Sequence, residues 1–384
     1  MRSRLLVAIV ASLAGPVLFV SGLGVARAGT SSISGQRSVA AKARQGHSAQ
    51  APSNQPAWAN RGPAVAGDGQ GFVHAAWENT SGQLAVALRN TSGNWTTHNL
   101  GFGPLGSQPS ETATAQVTNG QNWHYVFWSG RGDNALNMAY WGSNGGWTGP
   151  VTIPNTADSV PKEPAAAFIN GTGNTSTIYV FWAGADNDID YMHSSMPWDT
   201  TSWHGPFEAV HGSNNTPIGP VVGAPAAAGN CGTNAGCDTS APVYWTADQN
   251  TVSRSIFNPG TNMWPAPVTD NKTSSLGSEP SAVSDIFGQG STVAFRGSGG
   301  SADLFTITDG YSFGFGPQLN TGVGPLASAP AIGVIAPGGT VTNETWFYLW
   351  RGTNADLWAV HQNPPGTISN PNDVGGQICA SQQC

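Results

Sequence analysis

Short apolar or alternating runs recur along the chain from about residue 62 to residue 360, separated by clusters of Gly, Asn, Asp and Pro. Such runs predict β-strands, because strand side chains alternate between two faces and the separating residues favour tight turns. One run in each recurrence ends in an aromatic residue, and an aliphatic residue follows 7 to 9 positions later. These aromatic residues are Trp77, Trp128, Trp182, Trp245, Phe295 and Trp350. The pattern predicts an all-β chain.

The recurring unit is nearly constant in length, since successive aromatic residues lie 51, 54, 63, 50 and 55 positions apart. Each copy begins with proline and a small residue, as in Glu163-Pro164-Ala165, where the missing proline N–H costs no ladder hydrogen bond. A repeat of this length with several short strands is typical of a β-propeller. We therefore predict six blades of short antiparallel strands. A parallel β-solenoid and a pair of β-sandwiches are the alternatives, but solenoid repeats are shorter and sandwiches impose no such period.

The way in which the ring closes is left open by the sequence. The sixth copy has no tryptophan after Trp358, and a proline-rich tail follows it. Propellers often borrow a strand from the other terminus, and the segment around Trp58 could supply one. Trp58 lies only 5 residues before Pro63, however, whereas the other junctions run from 14 to 22 residues.

The N-terminal segment has the features of an export signal. Two arginines precede an apolar run that continues to about Val25, and a small-x-small sequence ends at Ala28. This order predicts a secretory signal peptide over residues 1–28, with an uncleaved anchor as the alternative. Residues 29–55 are rich in Ser, Ala, Gln and Gly, and we expect a disordered linker. The propeller and its tail then occupy residues 56–384 of a secreted, extracellular protein.

The composition argues against several partners. Charged residues make up 9% of the chain, its net charge is −7, and no basic stripe is present that could follow a phosphate backbone. We therefore expect no nucleic acid partner. No later stretch reaches the roughly 18 apolar residues of a membrane span, so we expect no membrane association after signal cleavage. No cofactor motif is found, and the oligomeric state does not follow from the sequence.

Four cysteines form two close pairs in the sequence, Cys231 with Cys237 and Cys379 with Cys384. In an exported protein an even number of cysteines predicts disulfides, and each pair would close a small surface loop. Four thiols could instead hold one metal ion. Neither pair has the Cys-x-x-Cys spacing of common zinc sites, so we predict two local disulfides, the second closing the C-terminal tail.

The repeat resembles a known family in the pattern Pro-Ala…Val-Phe-Trp-x-Gly-x-Asp-x-x-Leu…Gly-Trp-x-Gly-Pro. The best matches are residues Val126–Pro150, Val180–Pro206 and Leu349–Trp358. The pattern is similar to that of the Photorhabdus-type bacterial lectins, which are relatives of the fucose-binding fungal propeller lectins. The resemblance implies glycan pockets between adjacent blades, with aromatic faces stacked on the sugar and polar or arginine side chains bonded to its hydroxyls.

The sequence departs from that family at the residue after the blade aromatic, which is often arginine there. Here two copies keep it, as Arg296 and Arg351. The other copies have Glu78, Ser129, Ala183 and Thr246. If these arginines bind ligands, most pockets have been lost.

Two sets of aromatic residues have different expected roles. The six blade aromatics are expected to pack between blades, where they bury a large apolar area. A second set opens the last strand of a blade, mostly beside a Gly or Pro turn, where we expect partial exposure and sugar stacking. It comprises Trp95, Trp147, Trp203, Trp264 and Phe315.

Three arginines complete the predicted glycan site. Arg131, Arg296 and Arg351 lie in or near the turn between the second and third strands, and each offers a rigid fork of donors. The alternative is a solvated turn residue. We expect ligands at the Trp-x-Gly-Pro turns and at the arginines beside them.

The candidate catalytic and metal-binding residues are scattered. The glutamates Glu78, Glu111, Glu163, Glu208, Glu279 and Glu344 stand at similar points of different copies rather than in one constellation. No sialidase box, nucleophile elbow or zinc-protease helix is found, and the eight histidines show no ligand spacing. The acidic turn Asp186–Asp190 could attract calcium but reads as ordinary turn chemistry. We predict that the protein is not an enzyme and that it binds no metal and no cofactor.

The sequence thus predicts a secreted, lectin-like propeller with repeated weak glycan sites between blades, where several sites compensate for weak single ones. A non-catalytic propeller that binds proteins or the cell wall is the main alternative. A glycosidase is the third hypothesis.

Overall fold

The computed structural model describes residues 62–379, with internal gaps. The segments that it does not describe are 69–70, 118–120, 143–144, 171–175, 213, 230, 233–235, 238, 248–249, 271–275, 286–289, 300–301, 312, 336–343 and 364–366. The predicted signal peptide and linker, and Cys384, also lie outside the described residues.

Six four-stranded antiparallel sheets form the protein, as predicted. Blades 1 to 3 consist of β1 Ala64–Gly67, β2 Val73–Glu78, β3 Leu84–Arg89, β4 Trp95–Phe102; β5 Ser110–Val117, β6 Gln121–Ser129, β7 Leu136–Gly142, β8 Trp147–Thr152; and β9 Ala165–Asn170, β10 Ser176–Ala183, β11 Ile189–Ser194, β12 His204–Glu208. A small hairpin follows, β13 Val210–His211 and β14 Thr216–Pro217.

Blade 4 contains an inserted hairpin between its first two long strands. Blades 4 to 6 consist of β15 Val222–Ala227, with the insertion β16 Cys231–Gly232 and β17 Gly236–Cys237, then β18 Ala241–Ala247, β19 Thr251–Phe257, β20 Val268–Thr269; β21 Ser281–Ser284, β22 Ser291–Arg296, β23 Leu304–Gly310, β24 Gly314–Asn320; and β25 Ala331–Ile335, β26 Thr345–Arg351, β27 Asp356–Gln362, β28 Asn372–Gln377. The two small hairpins account for the longest repeat, which has 63 residues.

The core lies between the blades, because the second strand of each blade is buried on both faces. All six blade aromatics are 3% exposed or less, and the aliphatic residues that follow them are fully buried. The predicted packing role of these aromatics is confirmed. In β8, the outermost strand of blade 2, half-buried and exposed positions alternate throughout its length.

The ring closes between β1 and β25, which lie side by side, as do the other successive first strands. Each of the six sheets consists of strands that are consecutive in the sequence apart from the inserted hairpins, so blade 6 takes its outer strand β28 from the C-terminal tail. That tail continues onto blade 1. Ile378 forms a β-bridge with Asn79 there, and the Cys379 N–H donates to the Glu78 carbonyl at 2.8 Å.

Two faces of the ring are distinguished below. The hairpin face carries the turns after the first and third strands of each blade, such as residues 90–94. The link face carries the turn after the second strand and the connection to the next blade, such as residues 103–109. The interface between two neighbouring blades is called a seam, so that seam 1–2 lies between blades 1 and 2.

The described residues include three of the four cysteines of the predicted disulfides. Cys231 and Cys237 are paired by their backbones across the β16–β17 hairpin. Cys379 is fully buried and disulfide-bonded, but its predicted partner is not described. Both predicted pairings stay predictions. No helix among the described residues is long and apolar enough to span a membrane.

Candidate functional site

The second aromatic set opens the outer strands at the hairpin face, and each member packs into the seam with the preceding blade. Trp203, Trp264 and Phe315 are only 8%, 4% and 7% exposed, so the expected partial exposure is not observed there. The Trp264 ring, for example, lies 4.9 Å from that of Phe257. Trp95 and Trp147 are half-buried, as expected.

The predicted arginines lie on the opposite face of the ring. In blade 2 the Arg131 turn follows Ser129, which pairs with Leu136, whereas Trp147 pairs with Trp141 at the far end of β7. Five strand residues separate these positions, or roughly 17 Å at about 3.4 Å per residue. The expectation that the arginines lie beside the tryptophan turns is therefore wrong. The sequence order around a hairpin does not show which end of the blade a turn occupies.

The side chains of Arg296 and Arg351 donate hydrogen bonds to the connections between blades. Arg296 donates from Nε and Nη2 to the Gly277 carbonyl at 3.2 and 2.7 Å, and Arg351 donates from Nη2 to the Ala327 carbonyl at 2.8 Å. Burial lowers the pKa of both, and the charge of Arg296 lowers that of Arg351 further. Arg351 is only 8% exposed. This geometry supports a structural role for the two arginines.

Arg131 makes a different contact, because its guanidinium reaches the neighbouring blade. Its Nη2 lies 2.8 Å from the Glu78 carboxylate, and its Nε donates to the Leu105 carbonyl at 3.1 Å. The Glu78 side chain is fully buried, while that of Arg131 is one-third exposed. The ion pair joins blades 1 and 2 at the link face.

A central cavity opens where the first strands begin, and Gln108, Glu163 and Glu279 line it. Glu279 Oε1 accepts from the Ala224 N–H at 3.1 Å, as Gln108 Oε1 accepts from the Gly62 N–H at 2.7 Å. Burial, and then the charge of Glu163, raises the pKa of Glu279 well above its usual value.

The two glutamates are hydrogen-bonded to each other through their side chains. Retaining glycosidases hold their two carboxyl groups roughly 5 Å apart on either side of the scissile bond, and inverting ones hold them farther apart. A pair in direct contact leaves no room for that bond. Gln108 and Glu279 occupy the same repeat position and make the same backbone hydrogen bond. This favours a structural role, in which the residue links neighbouring blades.

The acidic turn of blade 3 brings one carboxylate oxygen from each of Asp186, Asp188 and Glu208 within 4.8 Å of one another. The Asp188 N–H donates to Asp186 Oδ1 at 3.3 Å, which is the local turn contact typical of aspartate. Asp186 is exposed.

Sequence reasoning missed the most exposed stacked aromatic residue of the hairpin face. Trp198 lies in the connection between β11 and β12 and is 41% exposed. Its ring stacks on that of Trp123 at 5.7 Å and 25°, and Trp123 lies 5.9 Å from Tyr140. These three residues are called the aromatic patch, which covers seam 2–3.

The loop that carries Trp198 is held in place by local hydrogen bonds. Asp199 accepts from the Thr201 N–H at 2.9 Å and caps a 3-10 turn over Thr200–Ser202. The Ser202 hydroxyl donates to the Met196 carbonyl at 2.6 Å, and Trp203 Nε1 donates to the Pro197 carbonyl at 3.2 Å. The available signal in the sequence was a tryptophan outside the repeat, between the third and fourth strands of blade 3.

Comparison with known proteins finds its matches among solved structures. No family model matches the sequence, and no curated protein matches it. Aleuria aurantia lectin in complex with Fucalpha1-6GlcNAc is 13% identical with a TM-score of 0.56, covering 84% of this chain and 98% of the lectin. AofleA from Arthrobotrys oligospora is 11% identical with a TM-score of 0.60, covering 83% of this chain and 88% of that one.

A bacterial structure gives the same result. The lectin BP39L from Burkholderia pseudomallei is 16% identical with a TM-score of 0.55, covering 84% of this chain and 99% of the lectin. At these identities the likeness concerns the fold. The chain has the six-bladed β-propeller fold described for Aleuria aurantia lectin.

Proposed function

We propose that this protein is an exported, non-catalytic carbohydrate-binding propeller, and that the aromatic patch of Trp123, Tyr140 and Trp198 is a glycan-binding surface. The observation that carries the proposal is Trp198, a tryptophan that is 41% exposed yet stacked on a second tryptophan at 5.7 Å. An exposed aromatic face held in one orientation suits the apolar C–H face of a sugar ring, and little conformational entropy is lost on binding.

The composition of the chain and the chemistry of Tyr140 support a neutral ligand. The charged fraction of the chain is 9%, so few charges compete with stacking. The Tyr140 hydroxyl is a polar group beside the patch that could orient a sugar hydroxyl. The fold neighbours include a lectin solved with Fucalpha1-6GlcNAc and one solved with alpha methyl fucoside, which makes fucosylated glycans the first class to test.

The test compares two exposed aromatic residues of the hairpin face. Trp198→Ala removes the outer ring of the patch, and Phe313→Ala removes a 96% exposed phenylalanine that lies in the third hairpin of blade 5. We expect Trp198→Ala to weaken glycan binding about fivefold or more, since one lost stacking contact is worth about 1 kcal/mol or more. Phe313→Ala should bind as the wild type does.

Binding is measured by glycan array and then by isothermal titration with the sugars that score. The array includes fucosylated, O-methylated and amino-sugar glycans. Absence of binding at millimolar concentration would contradict the carbohydrate proposal. If Trp198→Ala binds glycans as tightly as the wild type does, the binding site lies outside the aromatic patch. The thermal unfolding midpoint of each variant controls for loss of fold.

A further inference from the structure

Four titratable side chains converge inside seam 1–2. His74 comes from β2 of blade 1, Glu111 and His124 come from β5 and β6 of blade 2, and Asp68 lies directly after β1. All four are buried, with exposures of 3%, 1%, 8% and 0% for Asp68, His74, Glu111 and His124. They are called the histidine cluster. At the strand positions of His74 and His124, seam 2–3 has Tyr125 and Ile178, so no histidine pair is repeated there.

The cluster is compact. His124 Nδ1 lies 3.4 Å from Glu111 Oε1, and His124 Nε2 lies 3.8 Å from Asp68 Oδ2. The His74 and His124 rings stack with their centroids 3.6 Å apart and 13° between their planes. One ligand atom from each of His74, Glu111 and His124 lies within 4.8 Å of the others.

Three members of this cluster, His74, Glu111 and His124, have side-chain polar atoms without hydrogen bonds. Both ring nitrogens of His74, both ring nitrogens of His124 and both carboxylate oxygens of Glu111 are buried without a hydrogen-bond partner. The Glu111–His124 contact of 3.4 Å is longer than the usual 2.9–3.0 Å of an N–H···O bond. Native proteins rarely leave such groups unpaired, because each costs free energy on burial. Several of them together, with one ligand atom of each residue within 4.8 Å of the others, indicate a missing ligand.

We propose that the histidine cluster is a structural site for a divalent transition metal ion such as Zn²⁺, with His74, His124 and Glu111 as ligands. Two imidazoles and a carboxylate are a donor set that zinc accepts. Tetrahedral zinc bonds of roughly 2.1 Å place neighbouring donor atoms roughly 3.4 Å apart. The Glu111–His124 contact has that length. The His74 ring must turn out of its stack on His124 for its nitrogen to reach the ion.

Asp68 occupies the position of an outer partner. It faces Nε2 of His124, while Nδ1 of the same ring faces Glu111. Metal-bound histidines usually donate their other ring N–H to a carboxylate, which orients the ring and strengthens the bond to the ion. Asp68 is itself held by the turn, since its Oδ1 accepts from the Phe72 N–H at 2.9 Å.

Burial and neighbouring charges shift the pKa values of three members of the cluster. Burial lowers the pKa of His74, and the neighbouring His124 lowers it further. Burial raises the pKa of Glu111 more than His124 lowers it. Burial also disfavours the charged form of His124, but Asp68 and Glu111 outweigh it and raise the His124 pKa.

The test uses the full chain without a histidine tag, treated with EDTA and titrated with ZnCl₂ in a calorimeter. We expect one Zn²⁺ per chain and a higher thermal unfolding midpoint. Loss of a ligand in His74→Gln or Glu111→Gln should reduce affinity by more than about 100-fold, and loss of the outer partner in Asp68→Asn by about 10- to 100-fold. The control His98→Gln makes the same chemical change at an exposed histidine and should leave affinity unchanged.

A second readout reports where the metal binds. The Trp141 and Trp147 rings lie 4.8 and 6.0 Å from that of His74, so Co²⁺ bound in the cluster should quench their fluorescence, and this quenching should be smaller in Trp141→Phe. No Zn²⁺ binding, or equal affinity in wild type, His74→Gln and Glu111→Gln, would overturn the proposal. Asp68→Asn keeps the oxygen that accepts from Phe72, so it tests the site even if a ligand variant does not fold. Glycan binding is measured separately and can fail without affecting this result.

Discussion

Seams 1–2 and 4–5 both bury charged and polar side chains, but they do so in opposite ways. In seam 4–5, Asp309 accepts from the Tyr244 hydroxyl at 2.8 Å and from Arg254 Nη1, and Arg254 Nη2 donates to the Tyr311 carbonyl at 3.2 Å. Only Arg254 Nε and Asp309 Oδ1 of that network lack a partner. In seam 1–2, all the side-chain nitrogen and oxygen atoms of His74, Glu111 and His124 lack a hydrogen-bond partner.

The difference separates a structural network from a candidate binding site. A buried ion pair that also has hydrogen bonds is complete, and removing one partner leaves an uncompensated charge. A buried cluster without hydrogen bonds has already lost that stabilisation, so it persists only if something else satisfies it. Burial alone therefore does not distinguish the two seams, whereas the pairing of the polar atoms does.

The largest expected effect is in seam 4–5. Asp309→Ala leaves the Arg254 charge buried without its carboxylate, and we expect a loss of about 3–5 kcal/mol in the free energy of unfolding. Tyr244→Phe removes one hydrogen bond from the same carboxylate and should cost about 1 kcal/mol. Urea unfolding measures both. A loss below about 1 kcal/mol for Asp309→Ala would show that the network is not the structural element described.

The opposite sign is expected in seam 1–2. His74→Leu replaces a neutral, unpaired imidazole by an apolar side chain of similar volume, and the metal-free protein should gain about 1–2 kcal/mol in the free energy of unfolding. Excess Zn²⁺ should stabilise the wild type but not the variant. Destabilisation of the metal-free protein by His74→Leu would show that the cluster is a completed network like that of seam 4–5.

The smallest effect concerns blade 3, where His193 is half-buried among the rings of its own blade. Burial, and then the neighbouring His204, lowers the pKa of His193 to about 4, and the His193 ring stacks on Tyr179 at 5.1 Å. Because the unfolded chain binds a proton near pH 6.5, stability should be lost as the pH falls from about 6.5 towards 4.

The role of His193 is tested by measuring the free energy of unfolding at pH 7 and pH 5. After solvent screening we expect the wild type to lose about 1 kcal/mol more than His193→Gln over this interval. The exposed histidine variant His98→Gln should follow the wild type. Equal losses in His193→Gln and the wild type would assign the acid sensitivity to other groups.

Much of the fold could be predicted because the repeat records it directly. Each blade aromatic is followed at a near-constant distance by an aliphatic residue, and both are buried in every copy, since every blade packs on its neighbours in the same way. The ring closure could not be predicted, because β28 carries no aromatic signal and has the sequence Asn372–Gln377. Its assignment depends on pairing with β27.

The candidate sites were harder to predict, because sequence spacing does not report on distance between blades. Arg131 and Trp147 are close in the sequence but lie on opposite faces of the ring. His74 and His124 are 50 positions apart in the sequence, and yet their rings stack at 3.6 Å. The absence of short ligand spacing among the histidines therefore did not exclude a cluster.

By itself the sequence determined the all-β class, the blade period and the packing role of the six blade aromatics, because these follow from local periodicity repeated along the chain. The tertiary structure decided which turns share a face, which aromatic residues stay exposed and which polar groups meet in a seam. The physical reason is that a propeller joins its blades side by side, so that residues about one blade apart in sequence become neighbours, and only the closed ring sets their distances and their pairing.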